Sequence, residues 1–250
     1  MGAAETEKLA VIIGREGVEL LANSTVMVLG CGGVGSSCVE ALARSGVGRL
    51  IIVDRDVVSE SNINRQAIAF HSTLGRRKVD VMRDMIHDIN PAIEVEAHDV
   101  FLLSESVGEF MDEFAGRADW VIDAIDSIAV KLALTEHAQR TGIRLVSSMG
   151  GGNKLHPEFF AFADLYDTVN CPVCRIMRKE GRKRGIERLP VLYSSELPAK
   201  TETAPGATRA DRSDLGTMSY IPPIMGQMLA GWVIRQLLGM DPDPYGGGHE

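Results

Sequence analysis

No apolar run in this 250-residue chain is long enough to cross a bilayer; the longest, such as Val26-Met27-Val28-Leu29 and Leu50-Ile51-Ile52-Val53, have the length of buried strands. The first residues lack the charged-then-apolar pattern of an export signal, so a cytoplasmic protein with no membrane partner is expected. Cysteine is sparse: four residues, with Cys31 and Cys38 early and Cys171 and Cys174 late, do not make the dense framework of a disulfide-stapled secreted domain, and reduced thiols are expected. Positive charge is also in deficit, 26 Lys and Arg against 34 Asp and Glu, for a net charge of -8. That balance argues against indiscriminate nucleic-acid binding, while leaving room for a local basic surface that docks one polynucleotide. There is no internal repeat.

What is present is an ordinary globular composition, 45% hydrophobic and 24% charged, enough for one sizeable core with a smaller appended lobe. Apolar residues at helical spacing over 13–22 lead into a strand at 26–29, a glycine loop, a helix over 34–44 and a strand over 49–53. The alternation continues with a helix from Lys78 to the stop at Asn90-Pro91, a strand at 93–97, a helix near 104–114, a strand at 120–122, a helix at 130–140 and a strand at 144–147. This pattern predicts an α/β, Rossmann-like, mostly parallel sheet with helices on both faces, spanning 1–155. Beyond it, 156–240 reads as a smaller C-terminal extension packed on the first unit: strands near 158–162 and 189–193, a short helix over 174–181, a loop over 195–219 poor in periodicity and a final helix over 222–238. Residues 241–250 read as a frayed tail.

The chemistry lies in a train of residues at the expected ligand edge of that sheet. Gly30, Gly32 and Gly35, with Gly33 between them, have the Gly-x-Gly-x-x-Gly spacing that lets backbone approach a phosphate at a helix N-terminus, which many proteins share. Asp54 follows 24 residues after Gly30, where a carboxylate binds ribose hydroxyls of either ATP or a nicotinamide cofactor. Arg65 and Lys78 are more selective, because phosphoryl chemistry needs fixed cations where negative charge develops. Asp126, on the loop after the strand ending at Asp123, suits Mg²⁺, a hard cation that prefers carboxylate oxygen.

Gly30-Cys31-Gly32-Gly33-Val34-Gly35, Asp54-Arg55-Asp56, Asn62-Ile63-Asn64-Arg65-Gln66, Lys78 and Asp123-Ala124-Ile125-Asp126, in this order, resemble the adenylating domain shared by ubiquitin-activating enzymes and the thiamine and molybdopterin adenylyltransferases. The resemblance covers 14–150. Within that superfamily the chain is most similar to the tRNA threonylcarbamoyladenosine dehydratases, through the runs 41–48, 89–91, 121–127 and 147–154 and the continuation from Cys171-Pro172 to Arg184-Gly185. The resemblance implies that Gly30, Gly32, Gly33, Gly35, Asp54 and Asp56 hold ATP, that Asn62, Arg65, Gln66 and Lys78 surround its phosphates, and that Asp126 positions Mg²⁺. It implies a catalytic role for Arg65, Lys78 and Asp126, a homodimer, a tRNA substrate, and a place for a monovalent cation beside the loop 150–154. The reaction it implies is adenylation of a carboxylate, followed by ring closure with loss of AMP. Two rival readings stay open: activation of a ubiquitin-like or sulfur-carrier protein, with a sulfur-transfer partner, and a non-catalytic nucleotide-binding or oxidoreductase module.

Some features depart from that pattern. Relatives reach across the dimer with arginines near the N-terminus, whereas alignment on Gly14 places Glu5 and Lys8 there. Superfamily members that activate ubiquitin-like proteins often carry two Cys-x-x-Cys pairs; this chain has one, Cys171 and Cys174, read first as a short helix with two incidental thiols and second as metal or redox work. Arg175, Arg178, Lys179, Arg182 and Lys183 form the one concentrated basic stretch, read either as a solvated helix face or as a tRNA phosphate contact.

Overall fold

The computed structural model describes residues 3–200 and 215–245. It opens with α1 (Ala3–Ala22), whose helical backbone breaks at Gly14, then β1 (Thr25–Leu29), α2 (Gly33–Arg44), β2 (Arg49–Val53), α3 (Lys78–Ile89), β3 (Glu94–His98) and α4 (Val107–Asp112). There follow β4 (Trp120–Asp123), α5 (Ile128–Thr141), β5 (Leu145–Ser148), β6 (Phe160–Asp164), α6 (Pro172–Lys183), β7 (Pro190–Ser194) and α7 (Ile221–Leu237).

One seven-stranded sheet runs in the order β3-β2-β1-β4-β5-β7-β6. All neighbours are parallel except β6, which runs antiparallel to β7. The chain leaves β1 toward β2 on one side and returns to β4 on the other, so the strand order reverses between β1 and β4. The two loops that leave those strands therefore part, and a crevice opens at their carboxyl ends.

Alternation within each strand explains the two cores. Val26, Val28, Leu50 and Ile52 point into the layer shared with α2, α3 and α7, while Met27, Leu29, Ile51 and Val53 point into the layer shared with α4, α5 and α6. Both faces being covered, β1 and β2 are apolar after their first residues, Thr25 and Arg49, instead of alternating with polar residues. On the first face α2 lies backbone to backbone on α7: a Cβ at Gly226 would stand 2.2 Å from the Val34 carbonyl oxygen. No residue with a side chain allows that approach.

The extension supplies the last two strands of the same sheet. β6 begins two residues later than its apolar pattern suggests, because Pro157–Phe159 turns as a 3-10 helix with proline at its start. The tail also differs from expectation over its first half. Arg144 pairs with Asp243 at 2.8 Å, Arg188 donates to the Pro244 carbonyl, Gln236 donates to the Pro242 carbonyl, and the Tyr245 hydroxyl bonds both the N–H and the carbonyl of Leu145. Residues 241–245 thus strap the amino end of β5 to α7 rather than fraying. Residues 246–250 and most of the expected loop, 201–214, lie outside the described residues.

Candidate active site

A cavity of about 630 Å³ occupies the crevice between β1 and β4. Gly30, Gly32 and Gly33 form one wall and Asp54, Asp56 and Lys78 a second. Asn62, Arg65 and Gln66 close the end, and Asp126 stands at the rim on the loop after β4. Residues spread over nearly a hundred positions are thereby brought into one space. Gly35 is not among the lining residues; it sits one turn into α2, where a Cβ would stand 1.7 Å from the Gly30 carbonyl oxygen. Its role is to let the loop fold tightly back on the helix that it opens. α2 thus begins at the glycine loop, presenting the unpaired N–H groups of its first turn.

The acidic end of β2 is tied to this loop. Asp54 accepts from the Cys31 N–H at 2.7 Å through Oδ2 and from the Asp56 N–H at 2.8 Å through Oδ1, and each oxygen keeps a lone pair for a hydroxyl donor. Burial is the main influence on its pKa and raises it, against Lys78 and the two N–H groups, which lower it. Burial and then the neighbouring Asp54 also push the Cys31 thiol well up, and burial does the same to Cys38, so neither is a nucleophile.

Lys78 is the first residue of α3, its side chain only 6% exposed, with Nζ 2.8 Å from Oδ2 of Asp56. Asp56, by contrast, is 63% exposed, so its grip on the ammonium is one that a polyanion in the cavity can take over. The backbone repeats the link, Lys78 N–H donating to the Asp56 carbonyl at 2.9 Å. Asn62 closes a short 3-10 turn, its Oδ1 accepting from the Ser59 N–H at 3.1 Å, which leaves the amide nitrogen only a long contact to Ser61. Arg65 commits Nη1 to the Ser61 carbonyl and Asn64 Oδ1, both at 2.8 Å; the rest of its fork makes no hydrogen bond among the described residues. Gln66 Oε1 is buried and unpaired, and the Asp126 carboxylate makes no ion pair or hydrogen bond among the described residues. Two oxygen acceptors without partners beside two cations suit a ligand that brings both negative oxygens and a hard cation or hydroxyl donors.

Several contributors are invisible in the motif train. Lys131 is buried in α5 and donates to Asp123 at 2.9 Å, Ser147 at 3.2 Å and the Ser148 carbonyl at 2.8 Å, bracing the ends of β4 and β5 where the Asp126 loop begins. Its signal was a lone charge inside the apolar run Ile128-Ala129-Val130-Lys131-Leu132-Ala133-Leu134. Arg55 lays its guanidinium 4.3 Å over the Phe101 ring at the cavity mouth. From the far end of the chain, Pro222 and Met225 of α7 line the cavity, packing on Gly33 and Gly151.

The five basic residues of α6 lie away from the cavity and do not act alike. Arg178 donates to both the carbonyl and the hydroxyl of Thr168, and Lys183 pairs with Glu180 at 2.8 Å. Arg175 and Lys179 are exposed, and Arg182 lies over the Tyr166 ring.

A ThiF family model matches residues 6–248, almost the whole chain. The chain belongs to the ThiF family. Among the relatives of this ThiF protein, tRNA threonylcarbamoyladenosine dehydratase of Bacillus subtilis is 41% identical over 235 residues, covering 90% of this chain and 91% of the relative. The Haemophilus influenzae protein of the same name is 37% identical, covering 87% of each. The crystal structure of the E. coli tRNA N6-threonylcarbamoyladenosine dehydratase TcdA in complex with AMP superposes with a TM-score of 0.85 at 27% identity, covering 95% of both chains. The same E. coli protein in complex with ATP gives 0.83. A probable adenylyltransferase/sulfurtransferase of Mycobacterium tuberculosis, 35% identical, matches 52% of this ThiF chain and 32% of its own length.

Proposed function

We propose that this ThiF-family protein uses ATP and Mg²⁺ to dehydrate threonylcarbamoyladenosine in tRNA to its cyclic form, through an acyl-adenylate. The observation that carries the reading is the 41% identity running through both chains almost end to end, whereas the adenylyltransferase and sulfurtransferase relatives are matched over only 32% and 45% of their own length. The cavity supports the same chemistry. A threonylcarbamoyl carboxylate attacks the α-phosphorus of ATP, forming the acyl–oxygen–phosphorus bond as the bond to the β-phosphate oxygen breaks and pyrophosphate leaves. Negative charge spreads over the phosphate oxygens as this happens, and Arg65, Lys78 and the N–H groups at the start of α2 are fixed around the place where it appears. Lys78 can leave the exposed Asp56 for the more highly charged triphosphate. Asp126 and Gln66 Oε1 are the oxygens that would hold Mg²⁺, directly or through water; the ion would supply charge neutralisation.

The second step needs no nucleophile from the protein. An atom of the threonylcarbamoyl group attacks its own activated carbonyl, a five-membered ring closes, and AMP leaves; such an internal attack has a very high effective concentration. The reading includes a homodimer in the cytoplasm, where ATP and tRNA meet. Support for the dimer comes from Val11 and Ile12 of α1, 79% and 81% exposed.

The decisive experiment incubates the protein with ATP, Mg²⁺ and threonylcarbamoylated tRNA, digests the tRNA, and weighs the nucleosides. Loss of one water is expected; no loss, together with pyrophosphate exchange stimulated by a carrier protein with a Gly-Gly tail, would favour the rival. Asp54→Asn tests the ribose side of the cavity. It sets an NH₂ group against one of two backbone N–H donors, so ATP affinity measured by calorimetry is expected to fall more than tenfold, about 1.5–3 kcal/mol.

For the tRNA, the residues to change are Arg175, Lys179 and Arg182, because Arg178 is committed to Thr168. The triple alanine variant is expected to flatten the dependence of log affinity on log salt by about 0.7–0.9 for each phosphate that is no longer neutralised. An unchanged slope would mean that α6 presents only a solvated face.

A further inference from the structure

Cys171 and Cys174 take no part in adenylation, yet their surroundings are not those of incidental thiols. Cys171 caps α6 and Cys174 lies in its first turn, so the Cys-x-x-Cys spacing sets the two sulfurs side by side; both residues are buried and unlinked. The N–H groups of Gly150, Val173 and Cys174 and the thiol of Cys174 gather around the Cys171 sulfur. The buried Lys154 ammonium lies close enough to interact with both sulfurs, and Arg178 and the Thr168 hydroxyl stand by Cys174. The Cys174 thiol, before the other donors, pulls the Cys171 pKa down, against burial, while that of Cys174 itself is pushed up. The donors gathered on Cys171 favour its thiolate over that of Cys174, the asymmetry in which one sulfur attacks and the other resolves. Among the described residues there is no third metal ligand to make this a cation site.

The pair is also wired to the cavity. Val173 packs directly on Gly150, and the next two residues, Gly151 and Gly152, line the nucleotide cavity. The Gly150 N–H that faces the Cys171 sulfur therefore stands one residue from the cavity wall.

We propose that Cys171 and Cys174 form a redox site, a dithiol that peroxide converts to a disulfide and that thereby weakens ATP binding in the adjoining cavity. The Cys171 thiolate attacks one oxygen of hydrogen peroxide, forming a sulfenic acid and releasing hydroxide. Cys174 then attacks that sulfur; the S–S bond forms, the S–O bond breaks, and the displaced hydroxide and the Cys174 proton leave as water. Two thiols are oxidised and one peroxide is reduced, with two waters formed in all. Once the charge on Cys171 is gone, Gly150 N–H loses its anionic acceptor and Lys154 its neighbouring anion, so the wall built on 150–152 is held less firmly. A thiol reductant reverses the change.

The proposal rests on the cavity being an ATP site, and ATP binding by the reduced protein checks that reading separately. Trypsin leaves both cysteines on one peptide, 155–175, because no Lys or Arg interrupts it. The full-length protein is treated with hydrogen peroxide, digested without reductant and weighed, and ATP affinity is measured before oxidation, after it and after dithiothreitol. The expected result is loss of two hydrogens from that peptide and a rise in Kd of about fivefold or more, the lower range of ordinary coupling between sites, reversed by dithiothreitol. The Cys171→Ser/Cys174→Ser double variant, which retains Cys31 and Cys38, should keep its affinity under peroxide. An unaltered 155–175 mass in the wild-type protein would overturn the proposal without recourse to any variant, as would equal weakening in the double variant.

Discussion

Replacing Arg65 by alanine is expected to slow AMP formation on threonylcarbamoylated tRNA by about 10²–10³-fold, the cost of removing one fixed donor from a developing oxyanion. Arg65 lines the closed end of the cavity, and Nη1 is anchored to Ser61 and Asn64 so that the rest of the fork is held there. Alanine would remove this pre-placed charge without opening the core, because the side chain stands on a turn at the ligand edge and not between layers. Thermal unfolding should therefore stay close to wild type while single-turnover AMP release collapses. Asp126→Ala is expected to show the same split: among the described residues its carboxylate holds no other group in place, so the loss should fall on the rate and on the Mg²⁺ dependence. A near-normal rate in either variant would remove that residue from the mechanism.

Lys131→Met should give the largest loss of stability of any single change near the site, about 3–5 kcal/mol in urea unfolding. The ammonium and its partner Asp123 are 3% and 0% exposed, and the methionine would leave a carboxylate in the interior with only the Ser147 hydroxyl, at 2.6 Å, and the Ile125 N–H. The cost lies in the stranded charge more than in the lost pair. Neutralising both, as Lys131→Met with Asp123→Asn, is accordingly expected to recover a large part of the stability. If the double variant is no more stable than the single one, Lys131 acts through its bonds to Ser147 and Ser148 instead.

How much of this was readable in advance depends on the range over which each signal acts. The helices and parallel strands up to β5 announce themselves locally, because a residue's place on a 3.6-residue or alternating pattern is set by its near neighbours. Arg65, Lys78 and Asp126 were legible because their order along the chain follows the order of loops along the sheet edge. Pairing partners are another matter: nothing in the periodicity of Phe160–Asp164 says that it runs antiparallel to β7. Nor does Tyr245 declare that it will bond to Leu145, a hundred residues away. Lys131 gives no local sign of its role because its partners lie 8, 16 and 17 residues off on two strands. The surroundings of the cysteines are hidden for a related reason, since the loop and the lysine beside them come from before β6.

The cavity is lined both by the loop beginning at Gly30 and, from the far end of the chain, by Pro222 and Met225. During synthesis the glycine loop emerges first, and nearly two hundred residues must follow before α7 can lie down on α2. A ribosome-bound chain therefore carries the glycine loop for most of its translation without a complete pocket, and a ligand of that cavity can assist folding only for a chain that is nearly complete.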